Sequence, residues 1–252
     1  RELIRKRLKS VGPYDLRIVV GEAGVVSSTE LTSVLVKLQF NSAMTEIGSV
    51  RFDDGTAWDS ALVAAQAQRT SRYNDWAVGT DAAETLDGGA GDDRLEGDGG
   101  DDLLHGGTGN DHVQTWDANG RLYGDDGDDE LRGGALADGG AGDDRIWWSR
   151  SQRGGTGDDQ LTGDVSDNTY HFDLGDGSDT LSDSGGDDLD VLVFGAGIGV
   201  ADLSYALDGA DLLLAVGAAG DRIRIVDGLA GSTVERLDFA DGSSTTLVTL
   251  LT

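Results

Sequence analysis

Between Gly79 and Arg132 an apolar residue returns every nine positions, at Leu86, Leu95, Leu104, Val113, Leu122 and Leu131. The nonapeptides read GTDAAETLD, GGAGDDRLE, GDGGDDLLH, GGTGNDHVQ, TWDANGRLY and GDDGDDELR. One apolar side chain in nine is too sparse for an amphipathic helix, whose buried stripe needs three or four per two turns. It suits a short strand that ladders beside copies of itself, because a thin core forms only when successive coils stack. Two nonapeptides then make one coil, and the pattern predicts a parallel β-roll. Further on, the register shortens but survives. GGAGDDRIW starts at Gly139, GGTGDDQLT at Gly154 and LGDGSDTLS at Leu174, the first two each after a six-residue link (133–138 and 148–153).

On either side of the repeats the period falls to two. EIGSVRFDDGTAW (46–58) and TVERLDFADGSST (233–245) alternate apolar and polar positions, and Asp54-Gly55 and Asp241-Gly242 supply hairpin turns. An offset of 187 aligns Phe52 with Phe239, Val50 with Leu237, Asp15-Leu16 with Asp202-Leu203, and Val36 and Leu38 with Ile223 and Ile225. The fold class expected is therefore all-β: a parallel β-roll flanked by small antiparallel β capping modules. Residues 1–58 read as the C-terminal part of a preceding cap. Residues 59–78 read as a helical or irregular linker, with its helix over Asp59–Gln68. Residues 79–190 form the roll and 191–252 its own C-terminal cap.

Charge adds chemistry to this outline. The chain has 47 acidic against 19 basic residues, a formal net charge of -28, 40 glycines and no cysteine. Such a surface repels nucleic acid and anionic membranes and attracts cations. A flexible acidic linker would share this composition, but not its phase. Position six of the nonapeptides holds Glu84, Asp93, Asp102, Asp111, Gly120 and Asp129. Coils of 18 residues put Asp93, Asp111 and Asp129 in one column, and two intervals of 15 carry it to Asp144 and Asp159. Glu84 and Asp102 begin the opposite column, which Gly120 breaks. Carboxylates stacked roughly 4.8 Å apart repel unless a hard cation lies between them. Calcium suits that place, since it takes six to eight mixed carboxylate and carbonyl oxygens, whereas zinc and copper would want His or Cys.

The repeats GGAGDDRLE and GGTGNDHVQ resemble the G-G-x-G-x-D-x-U-x nonapeptide of the RTX (repeats-in-toxin) family. The stretches FDDGTAW, FADGSS and YHFDLGDGSDTLSD are similar to the modules that flank RTX blocks. The resemblance implies calcium ligands at the carbonyls of positions two and four and the carboxylate of position six. On this chain these are Gly89, Gly91 and Asp93; Asp98, Gly100 and Asp102; Gly107, Gly109 and Asp111; and Asp125, Gly127 and Asp129. Later units supply Gly140, Gly142 and Asp144; Gly155, Gly157 and Asp159; and Gly175, Gly177 and Asp179. It also implies several bound Ca2+ ions and a secreted, extracellular setting. The partners it implies are the type I secretion apparatus and other domains of a larger parent, from which a chain starting at Arg1 reads as an excised piece.

Other chemistry is sparse. His105, His112 and His171 lack zinc-ligand spacing, there is no G-x-S-x-G or phosphate-binding loop, and no run of about 18 apolar residues could span a membrane. The chain thus reads as no enzyme but as a module that stays disordered in low calcium and folds on export. The alternative is an extracellular carbohydrate- or host-surface-binding module, with Trp147-Trp148 as the hint of a platform. Trp58, Trp76 and Trp116 read as packing residues.

Overall fold

The one-in-nine pattern resolves, in a computed structural model of the chain, into two sheets whose strands alternate along the sequence. The structure describes residues 74–183, 189–218, 220–228 and 234–251, together with four strands nearer the N-terminus, Asp15–Val20, Thr32–Lys37, Ser49–Arg51 and Ala57–Asp59. Two units separate, 1–69 and 70–252.

In the second unit one sheet has 9 strands and the other 10. The first runs parallel from Thr85–Ala90 through Leu103–Thr108, Arg121–Asp126, Leu136–Ala141, Ser151–Thr156, Thr169–Phe172 and Val191–Phe194 to Arg236–Phe239. Its register stacks Leu86, Leu104, Leu122, Ala137, Gln152, Tyr170, Leu192 and Leu237 in one inward column. The second sheet stacks Ala77, Leu95, Val113, Leu131, Ile146, Leu161, Leu181 and Ile225. Their apolar members form the core of the roll, and each buried Leu or Ile contributes roughly 1.5–3 kcal/mol. Gln152 is the polar exception; its Nε2 donates to the carbonyls of Ser149 and Thr162, both at 3.0 Å.

The ladder reaches beyond the repeats at both ends. Trp76–Val78, in the stretch read as linker, already pairs in parallel with Arg94–Glu96. Past residue 190, Val191–Phe194 and Asp221–Ile225 continue both sheets in parallel, and antiparallel strands are added beside them. The antiparallel strands are Leu203–Asp208 and Asp211–Val216 on one sheet, and Ser244–Thr246 on the other. A single turn of helix, Leu247–Leu250, closes the end, where the Thr246 hydroxyl accepts from the Thr249 N–H. Phe172 takes the place that Gly154 holds one coil earlier, since His171 pairs with Arg153. Phe172 then meets Phe194 edge-on, and Phe194 stacks on Phe239, with centroids 6.4 and 5.2 Å apart. A glycine column thus gives way to a phenylalanine column, and the thin roll to a thicker apolar cap.

In the first unit Asp15–Val20 pairs antiparallel with Thr32–Lys37, and Ser49–Arg51 with Ala57–Asp59. The second hairpin matches Arg236–Phe239 with Ser244–Thr246 at the offset of 187. The first matches differently. Asp15–Val20 has the hairpin role of Asp211–Val216, because it is this strand, and not Leu203–Asp208, that pairs with Asp221–Ile225. The helix expected over 59–68 lies outside the described residues, apart from Asp59 at the end of a strand. Among the described residues no helix is long and apolar enough to cross a membrane.

Candidate metal centre

The short turns at one edge of the roll, one per coil, each end on an aspartate. Because the strands that follow are paired in register, these aspartates form a column: Asp75, Asp93, Asp111, Asp129, Asp144, Asp159 and Asp179. A repeating hydrogen bond joins them. The backbone N–H of Asp93 donates to Asp111 Oδ1 at 2.6 Å, that of Asp111 to Asp129 at 2.7 Å, and those of Asp129 and Asp144 to the next carboxylate at 2.8 Å. Asp75 at one end and Asp179 at the other complete the chain of donors and acceptors.

The second oxygen of each carboxylate is treated differently. Oδ2 of Asp93, Asp111, Asp129, Asp144 and Asp159 is buried with no hydrogen-bond partner. A buried, unpaired carboxylate oxygen is costly, and here it recurs coil after coil. Each faces the position-one glycine of its own repeat. A Cβ on Gly88 would stand 2.5 Å from both Asp93 Oδ2 and the Gly106 carbonyl oxygen; Gly106, Gly124 and Gly139 face the same crowding, and Gly154 meets the Asp159 carboxylate. Positions two and four carry their carbonyls in matching stacks. Gly91, Gly109, Gly127, Gly142 and Gly157 each aim a carbonyl at the position-four glycine one coil on; Gly89 aims at Gly107, Asp125 at Gly140, and Gly140 at Gly155. Among the described residues no three His, Cys, Asp or Glu side chains converge, so oxygens for an ion here must come largely from the backbone. Hard carbonyl and carboxylate oxygens, one orphaned per coil, fit calcium.

The sequence families agree. Residues 78–113, 118–138 and 153–176 match the family described as RTX calcium-binding nonapeptide repeat (4 copies). The roll is an RTX calcium-binding repeat block. Such repeats bind multiple Ca2+ ions. Residues 15–61 match a second family, the haemolysin-type calcium binding protein related domain. Among curated proteins none matches the chain. Of solved structures, the extracellular lipase LipA from Serratia marcescens is 19% identical over 62% of this chain and 36% of its own, with a TM-score of 0.26. The chain thus spans little more than a third of that lipase, in a superposition too loose to bear on fold or activity.

Within the RTX block, the residues singled out from sequence fall on two edges. All but Asp98, Gly100 and Asp102 lie along the aspartate column. Those three sit at the opposite edge, where the Glu84 N–H donates to Asp102 Oδ1 at 2.9 Å, Gly100 packs on the Ala82 carbonyl, and Asp102 Oδ2 is again buried without a partner. Gly175 differs from the other turn glycines, for nothing lies within 4 Å of where its Cβ would be. The opposite column breaks at Gly120 and resumes further on. The N–H of Asn168 donates to Asp190 Oδ1 at 2.8 Å, and that of Asp190 to Glu235 Oε2 at 2.7 Å. These residues carry no nonapeptide signature, so sequence reasoning passed over them. It also missed an outer ladder at position five. There the N–H groups of Asp92, Asn110, Asp128, Asp143, Asp158 and Ser178 each donate to the side chain one coil back, at 2.9–3.2 Å. Its signal, Asp or Asn at nearly every position five, was present in the repeats.

The three histidines have ordinary partners. His105 Nδ1 lies 3.0 Å from Asp125, His112 Nδ1 3.2 Å from Glu130, and His171 Nε2 3.0 Å from Ser151 Oγ. Trp116, read as a packing residue, is instead 68% exposed; it stands on a six-residue turn next to the three-residue turn of the following coil.

Loss of hydration is the main force on the column's charges. It raises Asp111 to about 7, Asp129 and Asp159 to about 6, and Asp144 and Asp179 to about 8; the N–H bond to each carboxylate opposes this, and neighbouring carboxylates push further up. These groups hold protons more tightly folded than unfolded. Their stabilising contribution to the calcium-free RTX block is therefore present below the unfolded value of 3.8 and lost as pH rises through about 6 to 8. In chelator, the far-ultraviolet circular dichroism should show more β-structure near pH ~5 than near pH ~8, the reverse of ordinary acid denaturation. Less structure at the lower pH would contradict the orphaned-carboxylate account.

Proposed function

We propose that this chain is the calcium-dependent folding module of a larger secreted protein, disordered at low calcium and folding on export. The observation that carries the proposal is the column of buried aspartates with one unpaired oxygen in each of five consecutive coils. Without a cation these charges oppose the roll, and only two thin columns of apolar side chains favour it. With calcium between successive turns, carboxylate repulsion becomes shared coordination. Binding and folding are then one equilibrium, because the turns that hold the ion exist only once the coils stack.

The ligands at the principal edge would be the carbonyls of Gly89, Gly91, Gly107, Gly109, Asp125, Gly127, Gly140, Gly142, Gly155, Gly157 and Gly177, with the carboxylates of Asp93, Asp111, Asp129, Asp144, Asp159 and Asp179. Asp98, Gly100 and Asp102 would serve a more isolated site opposite. Low calcium at the place of synthesis would keep the chain extended enough to pass a type I secretion apparatus. Higher calcium outside would fold it there and hold it extracellular, as a non-catalytic support for the other domains of its parent.

A calcium titration followed by circular dichroism tests this. The expected course is a coil spectrum in chelator that turns cooperatively to β-sheet, with a midpoint in the ~10⁻⁴–10⁻³ M range of extracellular calcium modules. Magnesium, which demands tighter octahedral geometry and keeps its waters, should not substitute. A β spectrum that persists in chelator at neutral pH would sink the folding role.

A further inference from the structure

The second edge of the roll holds a cleft whose origin is a matter of turn length. Turns 97–102, 115–120 and 163–168 at this edge have six residues. The two between the latter pair, 133–135 and 148–150, have three. With coils spaced roughly 4.8 Å apart, two short turns between long ones leave a notch about 14 Å across. The structure shows a cavity of about 460 Å³ there, within the ~300–1,000 Å³ of small-molecule sites. Gly133 and Gly134 line it without side chains, Trp116 and Asp117 come from one long turn, and Asp164 and Ser166 from the other.

Trp148 makes this notch more than a gap. It sits at φ 61°, a left-handed conformation that costs a bulky residue about 1–3 kcal/mol. The residue at the same place one coil earlier is Gly133, at φ 84°. Glycine therefore serves the backbone here, and the fold gains nothing evident from an indole. Nor does the indole bury itself: Trp148 remains 47% exposed and Trp116 68%. Trp147, by contrast, is covered by the Arg132 guanidinium, 4.6 Å from its ring. The wall behind is firm, since the buried Asn168 donates to the Ser149 carbonyl and accepts from the Asp164 N–H.

The chemistry favours an uncharged ligand with one flat apolar face and many hydroxyls. Exposed indoles offer flat, amphipathic contact area. Asp117 and Asp164 can accept from vicinal hydroxyls, and Arg150, also in the lining, can donate to them. A chain of net charge -28 repels anions, and the two carboxylates share the cleft with an arginine rather than converging with other ligating side chains on a cation. We propose that this cleft binds a neutral oligosaccharide, with a pyranose ring stacked on Trp148 and a neighbouring ring against Trp116.

The cleft exists only in the folded roll, so the test uses the full chain saturated with calcium. Neutral gluco-, manno-, galacto- and xylo-hexasaccharides are titrated against tryptophan fluorescence, with calorimetry as a second readout. Saturable binding of at least one is expected. Trp148→Gly should weaken it by about tenfold or more while leaving the calcium-loaded circular dichroism and thermal midpoint unchanged or improved, since strain is relieved. Trp76→Ala, at an exposed indole outside the cleft, should leave binding intact. No saturable binding to any of the four, equal binding by Trp148→Gly, or saturable binding only to a Lys- and Arg-rich peptide would overturn the proposal. A β-folded, calcium-loaded chain that binds no sugar leaves the folding role standing, whereas sugar binding by a chain that folds without calcium does the reverse.

Discussion

Asp144→Asn should move the roll in opposite directions with and without calcium. In the calcium-free protein Asp144 is buried, and its carboxyl is raised to about 8 by lost hydration and by Asp159 and Asp129 beside it. An amide keeps the acceptor for the Asp129 N–H, now made by Oδ1 at 2.8 Å, and sheds the charge. Its NH2 would replace the orphaned Oδ2, which crowds the same point above Gly139 as the Gly154 carbonyl, and could donate to that carbonyl. In chelator the variant should therefore keep its β-structure to higher pH than the wild type, whose carboxyl is about half ionised at pH ~8. With calcium the sign reverses. Losing one anionic ligand should raise the calcium concentration at half-folding by at least ~10-fold, the lower end of what even outer-shell partners cost at metal sites. Paired titrations of both proteins measure the two effects. A variant weaker in both conditions would show that Asp144 acts by packing alone, and one unchanged in calcium would remove it from the ion's shell.

Gly127→Ala should cost more than ~4 kcal/mol in calcium-saturated urea unfolding, in the range reserved for a named structural failure. Two causes act together. Gly127 has φ 144°, a region only glycine enters easily, and a Cβ there would collide with the Gly109 carbonyl oxygen. That obstacle is backbone, held in the ladder by the N–H of Gly127 donating to Ala141 and that of Gly109 to Asp126, so it cannot swing away. The coils would have to part where the proposed ion is shared. Gly242→Ala is the control. Its φ of 84° is as restrictive, yet nothing lies within 4 Å of the added methyl, so it should lose only the ~1–2 kcal/mol of left-handed strain. Similar losses at both sites would mean that backbone conformation, and not the stacking of carbonyls, sets the value of these glycines.

Much of the site was legible because its information is local and repeated. A carboxylate at position six and an apolar residue at position eight recur in the same nine-residue frame, and laddering places equivalent positions on top of one another. Asp93, Asp111, Asp129, Asp144 and Asp159 follow from counting alone. The ends of the column are less visible. Asp75 precedes the first nonapeptide and joins only because Trp76–Val78 pairs in register with Arg94–Glu96. On the other edge, Asn168, Asp190 and Glu235 are separated by 22 and 45 residues, with a hairpin excursion between the last two, and no fixed period survives such an insertion.

The sequence by itself determined the coil: its length, its inward face, the calcium-seeking edge and the acidity on which the proposed cation-dependent folding rests. These depend on short-range geometry, a two-strand period and left-handed turns that glycine fills almost throughout, Asp98 and Asp125 being exceptions at position two. Only the tertiary structure decided where the roll stops being a metal scaffold and becomes a packed cap. There Phe172, Phe194 and Phe239 replace the glycine column, and Ile223 follows Asp179 in the carboxylate column. It alone decided that two shortened turns open a cleft and that Trp116 and Trp148 stand exposed beside it. The physical reason is that a missing turn shows in one coil only as three absent residues; its consequence, an empty volume, depends on the coils above and below.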